Sequence, residues 1–218
     1  EDFDVAVQEL IRDYATEHER IVFNGNGYSE EWKQEAQKRG LTNICHVPEA
    51  IMKFNDPQSR SVLIGENIFN GNELKCRVEV ELEKYTKKVQ IESRILGDLA
   101  INHIVPIAVI YQNRLLENLR GLRETFSPEE YEMLGADRRE LVKEIQLHIL
   151  EIKKLVYEMT EARKISNHLE SEIKKAYSYQ EMVSPYLEKI REHIDHLELE
   201  IDDEIWPLPK YRELLFTK

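Results

Sequence analysis

From Leu141 onward, side chains suited to a helix interface recur at spacings of four and three through Ile145, His148, Ile152, Leu155, Met159, Ala162, Ser166, Leu169, Ile173 and Ala176. This is a heptad seam, the pattern of a helix that meets another helix along its length. A second seam runs through Val183, Leu187, Ile190, Ile194, Leu197 and Ile201, after a break at 177–185. Two such helices in sequence with a short link are expected to fold back antiparallel. That constraint sets the fold class as all-α, with very little strand.

The rest of the chain extends the pattern. Apolar positions at helical spacing run from Glu73 to Phe126 through Leu74, Val78, Leu82, Tyr85, Val89, Leu96 and Leu99. About fifty residues at ~1.5 Å rise predict a rod of roughly 75 Å. Pro106 lies inside it and is expected to kink it, because proline removes a backbone donor and crowds the preceding turn. Ser127-Pro128-Glu129-Glu130 reads as a fresh helix start, and Gly135 as its end.

Upstream, Val7, Leu10, Ile11, Tyr14 and Ala15 form one helical stripe over 4–19, followed by an apolar hinge, Ile21-Val22-Phe23, and an Asn24-Gly25-Asn26-Gly27 turn. Ser29 is the expected cap of a helix that Gly40 closes, and Pro48 opens another through Phe54. Residues 55–72 carry Asp-Pro, Gly, Ser and Asn and are expected to be irregular. The predicted architecture is an elongated antiparallel helical bundle over 72–218, with a long kinked helix and heptad-patterned helices, plus a small N-terminal helical segment over 1–71.

Composition narrows the function classes. The 42 Asp+Glu against 30 Lys+Arg give a formal charge of -12, which repels phosphate backbones and anionic lipid. Nucleic acid is therefore not expected as a partner. The longest apolar stretch, 104–110, is short and broken by Pro106, so no membrane span is expected. Cys45 and Cys76 have neither zinc nor disulfide spacing and read as reduced thiols in cytoplasm. The chain opens at Glu1 straight into Phe3, Val5, Val7 and Leu10, as a piece of a longer polypeptide would.

Candidate chemical residues are sparse. Glu92 and Arg94 are two apart on a helix and read as a buried or interhelical polar contact. Gly25-Asn26-Gly27 lacks the lysine and spacing of a phosphate loop and reads as a turn. Cys45-His46 has no partner spacing for a metal. His148 and Ser166 occupy seam positions, where polar residues set helix register. His103 beside Pro106 is expected to serve a freed carbonyl. His193 and His196, near Asp195, Glu198 and Asp202, read as part of a solvated acidic face. No catalytic, substrate-binding or metal residue is assigned.

Several blocks carry a family resemblance: the run 23–32 (FNGNGYSEEW), then Lys38-Arg39-Gly40-Leu41, Pro48-Glu49-Ala50, the stretch 79–85, Ile91-Glu92-Ser93-Arg94, Asp98-Leu99-Ala100, Ile104-Val105-Pro106 and the run 202–216 (DDEIWPLPKYRELLF). The chain resembles the region of type III glutamine synthetases downstream of their catalytic core. The resemblance implies a parent ligase that joins ammonia to glutamate with ATP and Mg, assembled as a homo-oligomer in the cytoplasm. The family's metal, ATP and glutamate motifs lie upstream, so no cofactor is expected in this segment and the chain alone is expected to be inactive. Its expected role is assembly and scaffolding against the catalytic core and neighbouring subunits. The candidate docking surface is Leu96, Leu99 and Val105 together with Trp206, Leu208, Tyr211, Leu214, Leu215 and Phe216. A free-standing coiled-coil interaction module and a regulatory cap are the alternatives.

Overall fold

The computed structural model describes residues 2–19 and 22–216, which leaves Ile21 of the apolar hinge outside the described residues. Eleven α-helices and no strand occur among them: α1 (Asp2–Glu17), α2 (Glu30–Lys38), α3 (Val47–Met52), α4 (Pro57–Gly65), α5 (Gly71–Leu99), α6 (Val105–Thr125), α7 (Pro128–Leu134), α8 (Ala136–Asn167), α9 (Glu172–Ser178), α10 (Ser184–Glu200) and α11 (Tyr211–Leu214). The chain divides into two compact units, Glu1–Ala50 and Ile51–Lys218, so the division falls inside α3.

In the first unit, local chemistry decides the helix ends. The Ser29 hydroxyl accepts from Trp32 N at 3.3 Å and caps α2. At the other end Gly40 sits at φ 69°, with Leu41 N donating to Ala36 O at 2.8 Å and its own N–H to Gln37 O at 3.1 Å. That is a Schellman close, which needs a residue tolerant of the left-handed region. Gly25 has a different reason to be glycine. A Cβ there would lie 2.6 Å from the Phe23 ring, which folds over the turn to meet Trp32 with centroids 4.9 Å apart.

The second unit holds the apolar core. Ala100, Ile104, Ile145, Ile152, Met159, Tyr179, Val183, Ile190 and Leu197 are buried in one cluster, and Val78, Leu82 and Ala176 form a smaller one. Both heptad seams therefore close on each other inside the chain. Hydrogen bonds pin the register: Ser166 Oγ lies 2.8 Å from Ser178 Oγ, Tyr179 donates to Asn167 Oδ1 at 2.7 Å, and Gln90 Nε2 donates to the same oxygen at 3.1 Å. Lysine-glutamate pairs three or four apart, such as Lys164–Glu161 and Lys143–Glu140, cover the outer faces, where solvent screening leaves each a small contribution.

Three expectations are corrected. Residues 55–72 are mostly helical, because Asp56-Pro57 is a helix start with proline in the first turn. Asn67, at φ 54°, closes α4 as Gly40 closes α2, and a capping box of Asn70 with Glu73 opens α5. The first seam also ends sooner than its pattern. α8 stops at Asn167, the chain turns through 168–171, Ser171 caps α9, and Ile173 is 36% exposed. Near Pro106, in the first turn of α6, the helical run Gly71–Thr125 departs from α geometry in a π turn, Ala100–Ile104. The wide turn makes room for the ring that would otherwise strike a carbonyl. A second π turn, Tyr179–Val183, precedes Pro185 in the same way, so the expected break between 177 and 185 is continuous helix.

Candidate docking surfaces and the histidine cluster

The end of α10 is finished by the tail that follows it. Lys210 Nζ donates to Glu198 O at 2.6 Å and to Ile201 O at 3.1 Å, pairs with Asp203 Oδ1 at 2.6 Å, and lies 5.8 Å from the Trp206 ring centroid. A cation placed on the last carbonyls of a helix satisfies acceptors that have no intrahelical partner. Asp202 shapes the turn before it. Its carbonyl accepts from Ile205 N and Trp206 N, its Oδ1 accepts from Glu204 N at 3.0 Å, and its Oδ2 lies 3.6 Å from Arg114 of α6.

Held this way, Trp206 is buried in the main core, and Leu208 packs against it half-buried. The indole Nε1 finds no acceptor there. The chain then emerges, leaving Leu214, Leu215 and Phe216 at 60%, 62% and 76% exposure. The Tyr211 side chain lies outside the described residues.

The candidate docking residues therefore fall into two groups. Leu96, Val105, Trp206 and Leu208 pack on this chain's own core, and Leu99 is half-buried. Leu214 to Phe216 stay bare. Two further apolar faces lie outside the candidate docking residues. Ile91, Ile95, Val109 and Ile110 are exposed along the run that holds Leu96 and Leu99, and every described side chain of α1 is exposed, including Phe3, Leu10, Ile11 and Tyr14. By length and composition alone, the run Gly71–Thr125 contains a segment apolar enough to cross a membrane, most of it uncovered within the chain. Its inner face, Ala100, Ile104 and Ala108, belongs to the bundle core, and Asn102 Nδ2 donates to Asp98 Oδ1 at 2.6 Å on the outer one.

The candidate polar residues also find their places. Glu92 and Arg94 are exposed and form no ion pair of the expected buried or interhelical kind among the described residues; Glu92 lies 3.9 Å from Lys88 on its own helix, and Ser93 between them is the buried residue. Burial, and then the Arg94 charge, hold the Arg163 guanidinium of α8 below its usual proton affinity. The His103 side chain is exposed in the π turn and has no hydrogen bond among the described residues, so it serves no freed carbonyl there. Cys45 and Cys76 are free and exposed. Asn26 of the Gly25-Asn26-Gly27 loop spends both its oxygens on Ser29 and Tyr28 donors. Among the described residues no three His, Cys, Asp or Glu side chains are arranged to hold a metal ion.

The structure brings together three histidines that the sequence reading kept apart. His148 of α8 meets His193 of α10, Nδ1 to Nδ1, at 2.9 Å, and the His196 ring stacks on His148 with centroids 5.1 Å apart. The spacing of 193 and 196 places those two on one helix face. Only the antiparallel register of α8 against α10 adds His148.

Paired seams, π turns before prolines and uncovered apolar faces define an all-α domain of the helical-bundle class. Residues 6–123, more than half the chain, match the family described as the glutamine synthetase C-terminal domain, and the chain belongs to that family. It is 68% identical over 215 residues to a glutamine synthetase of Bacteroides fragilis (strain YCH46), taking in 99% of this chain and 30% of that protein. A type-3 glutamine synthetase of Dictyostelium discoideum is 31% identical over 98% of the chain and 29% of its own length. For a glutamine synthetase of Butyrivibrio fibrisolvens the figures are 26%, 97% and 30%. The chain thus spans about three-tenths of the length of these relatives.

Proposed function

We propose that this chain is the C-terminal, non-catalytic part of a type III glutamine synthetase and that it serves assembly. The parent enzyme ligates ammonia to glutamate with ATP and Mg, and residues outside this chain carry that chemistry. The observation that supports the assembly role is the set of apolar faces the chain leaves bare: α1 with Phe3, Leu10, Ile11 and Tyr14, and the tail with Leu214, Leu215 and Phe216. Apolar surface gathered in stripes of this kind is stabilised by covering it, at ~25 cal/mol per Å². The catalytic core and neighbouring subunits of the same enzyme are the partners that cover it. Free, exposed thiols at Cys45 and Cys76 fit a reducing cytoplasm. The coiled-coil alternative loses its main support, since the α8 seam is filled by α10 and by the two π turns of the same chain.

The test has two arms. The chain alone, given ATP, glutamate, ammonia and magnesium, forms no glutamine; measurable turnover overturns the non-catalytic reading. In the full-length enzyme, Leu214→Ser with Phe216→Ser lowers the assembled mass seen by light scattering, and an unchanged assembly overturns the docking role of the tail.

A further inference from the structure

The α8–α10 contact is held by apolar side chains above and below a cavity of about 320 Å³, where the three histidines sit. Glu144 and Glu151 of α8 and Glu200 of α10 are the charged groups lining it, with Ile145, Leu147 and Leu197 as its apolar wall. His148 and His193 meet at 2.9 Å through Nδ1 atoms, their rings tilted by 59°, while His196 stacks on His148 at 20°.

Two imidazole nitrogens can share a hydrogen bond only if one carries a proton and the other offers a lone pair. A neutral pair meets this condition, and so does a pair with one extra proton, whose bond is then charge-assisted. A doubly protonated pair does not. It sets two N–H groups head to head and two positive charges about 3 Å apart, with the His196 ring stacked on one of them.

We propose that His148, His193 and His196 form a proton-operated latch between α8 and α10, closed while at least one ring of the 148–193 pair is neutral and open once both are charged. Its position gives the latch a consequence. The last turns of α10 lead directly to Ile201, Trp206 and the Lys210 cap, so opening the latch loosens the anchor of the exposed tail.

The electrostatics run in the required direction. Burial first, and then the neighbouring His193 and His196 charges, lower the proton affinity of His148; Glu144 and Glu200 oppose this without reversing it. A histidine whose folded value lies below its unfolded value of about 6.5 is charged more readily in the open chain. The latch therefore contributes its full stability above about pH 6.5 and loses it as pH falls through that value toward the folded one.

Hydrogen exchange on this chain tests the latch. After correction for intrinsic rates, protection of residues 193–206 should fall from about pH 7.5 to about pH 5.5, by up to about tenfold, the limit when opening takes up one extra proton over one unit of pH. His148→Gln, which cannot titrate, should flatten that fall. Protection that is constant with pH in the wild type, or an equal fall in His148→Gln, overturns the proposal. Should the variant not fold, ring ¹⁵N spectra of the wild type decide: linked titration of His148 and His193 supports the latch, and two independent curves overturn it.

Discussion

Trp206 carries a large apolar ring into the core and an N–H that finds nothing to bond to. The two halves of the side chain therefore act in opposite directions. Trp206→Ala is expected to cost about 3–5 kcal/mol in urea unfolding, as for other large-to-small changes at buried aromatics. Trp206→Phe keeps most of the apolar contact and removes a buried donor whose desolvation costs about 1–3 kcal/mol, so it should be close to neutral. Equal losses for the two variants would show that the indole N–H is satisfied after all. At this scale the legible residues are those whose partners are close in sequence. Ser29, Gly40 and Ser127 were readable as helix boundaries because a cap is settled within four residues. Lys210 was not, since its acceptors on Glu198 and Ile201 are reached only after the chain has turned at Asp202.

The helices show the same division between local and non-local causes. Each of the two π turns stands just upstream of a proline, Pro106 or Pro185, and carries the extra residue that moves a carbonyl out of the ring's way. His103 lies in the first of them, its side chain exposed and without a hydrogen bond among the described residues, so its deletion removes the extra residue and little else. That deletion should destabilise the second unit by about 3 kcal/mol, the cost of a proline within a regular helix. Adding Pro106→Ala to the deletion should restore most of the loss in chemical denaturation, and no recovery would show that the turn exists for another reason. The seam pattern foretold α8 and α10 but overran the true end of α8 at Asn167. Leu169 and Ile173 keep the heptad spacing, and only the capped turn at Ser171 breaks it. Asp56-Pro57 has the composition of a breaker, although the same pair can open a helix. A dipeptide carries both meanings until its surroundings choose.

For the molecule as a whole, an apolar stripe looks the same in sequence whether its cover comes from its own chain or from another. The seam of α8 and the stripe of α1 are both helical and both regular, yet the first is filled by α10 and the second has no buried side chain among the described residues. A helix of 16 residues without packing is marginal in water. In this chain alone, the α1 amides should exchange with little protection while those of α8, around Ile152 and Met159, exchange only with opening of the core. If the parent synthetase covers α1, as proposed, its amides in the full-length enzyme should be slowed at least tenfold, equivalent to ~1.4 kcal/mol of added local stability. Equal exchange of α1 in the two settings would mean that the stripe has no partner in the enzyme. The assembly role would then rest on the tail and on the exposed face around Ile91 and Ile95.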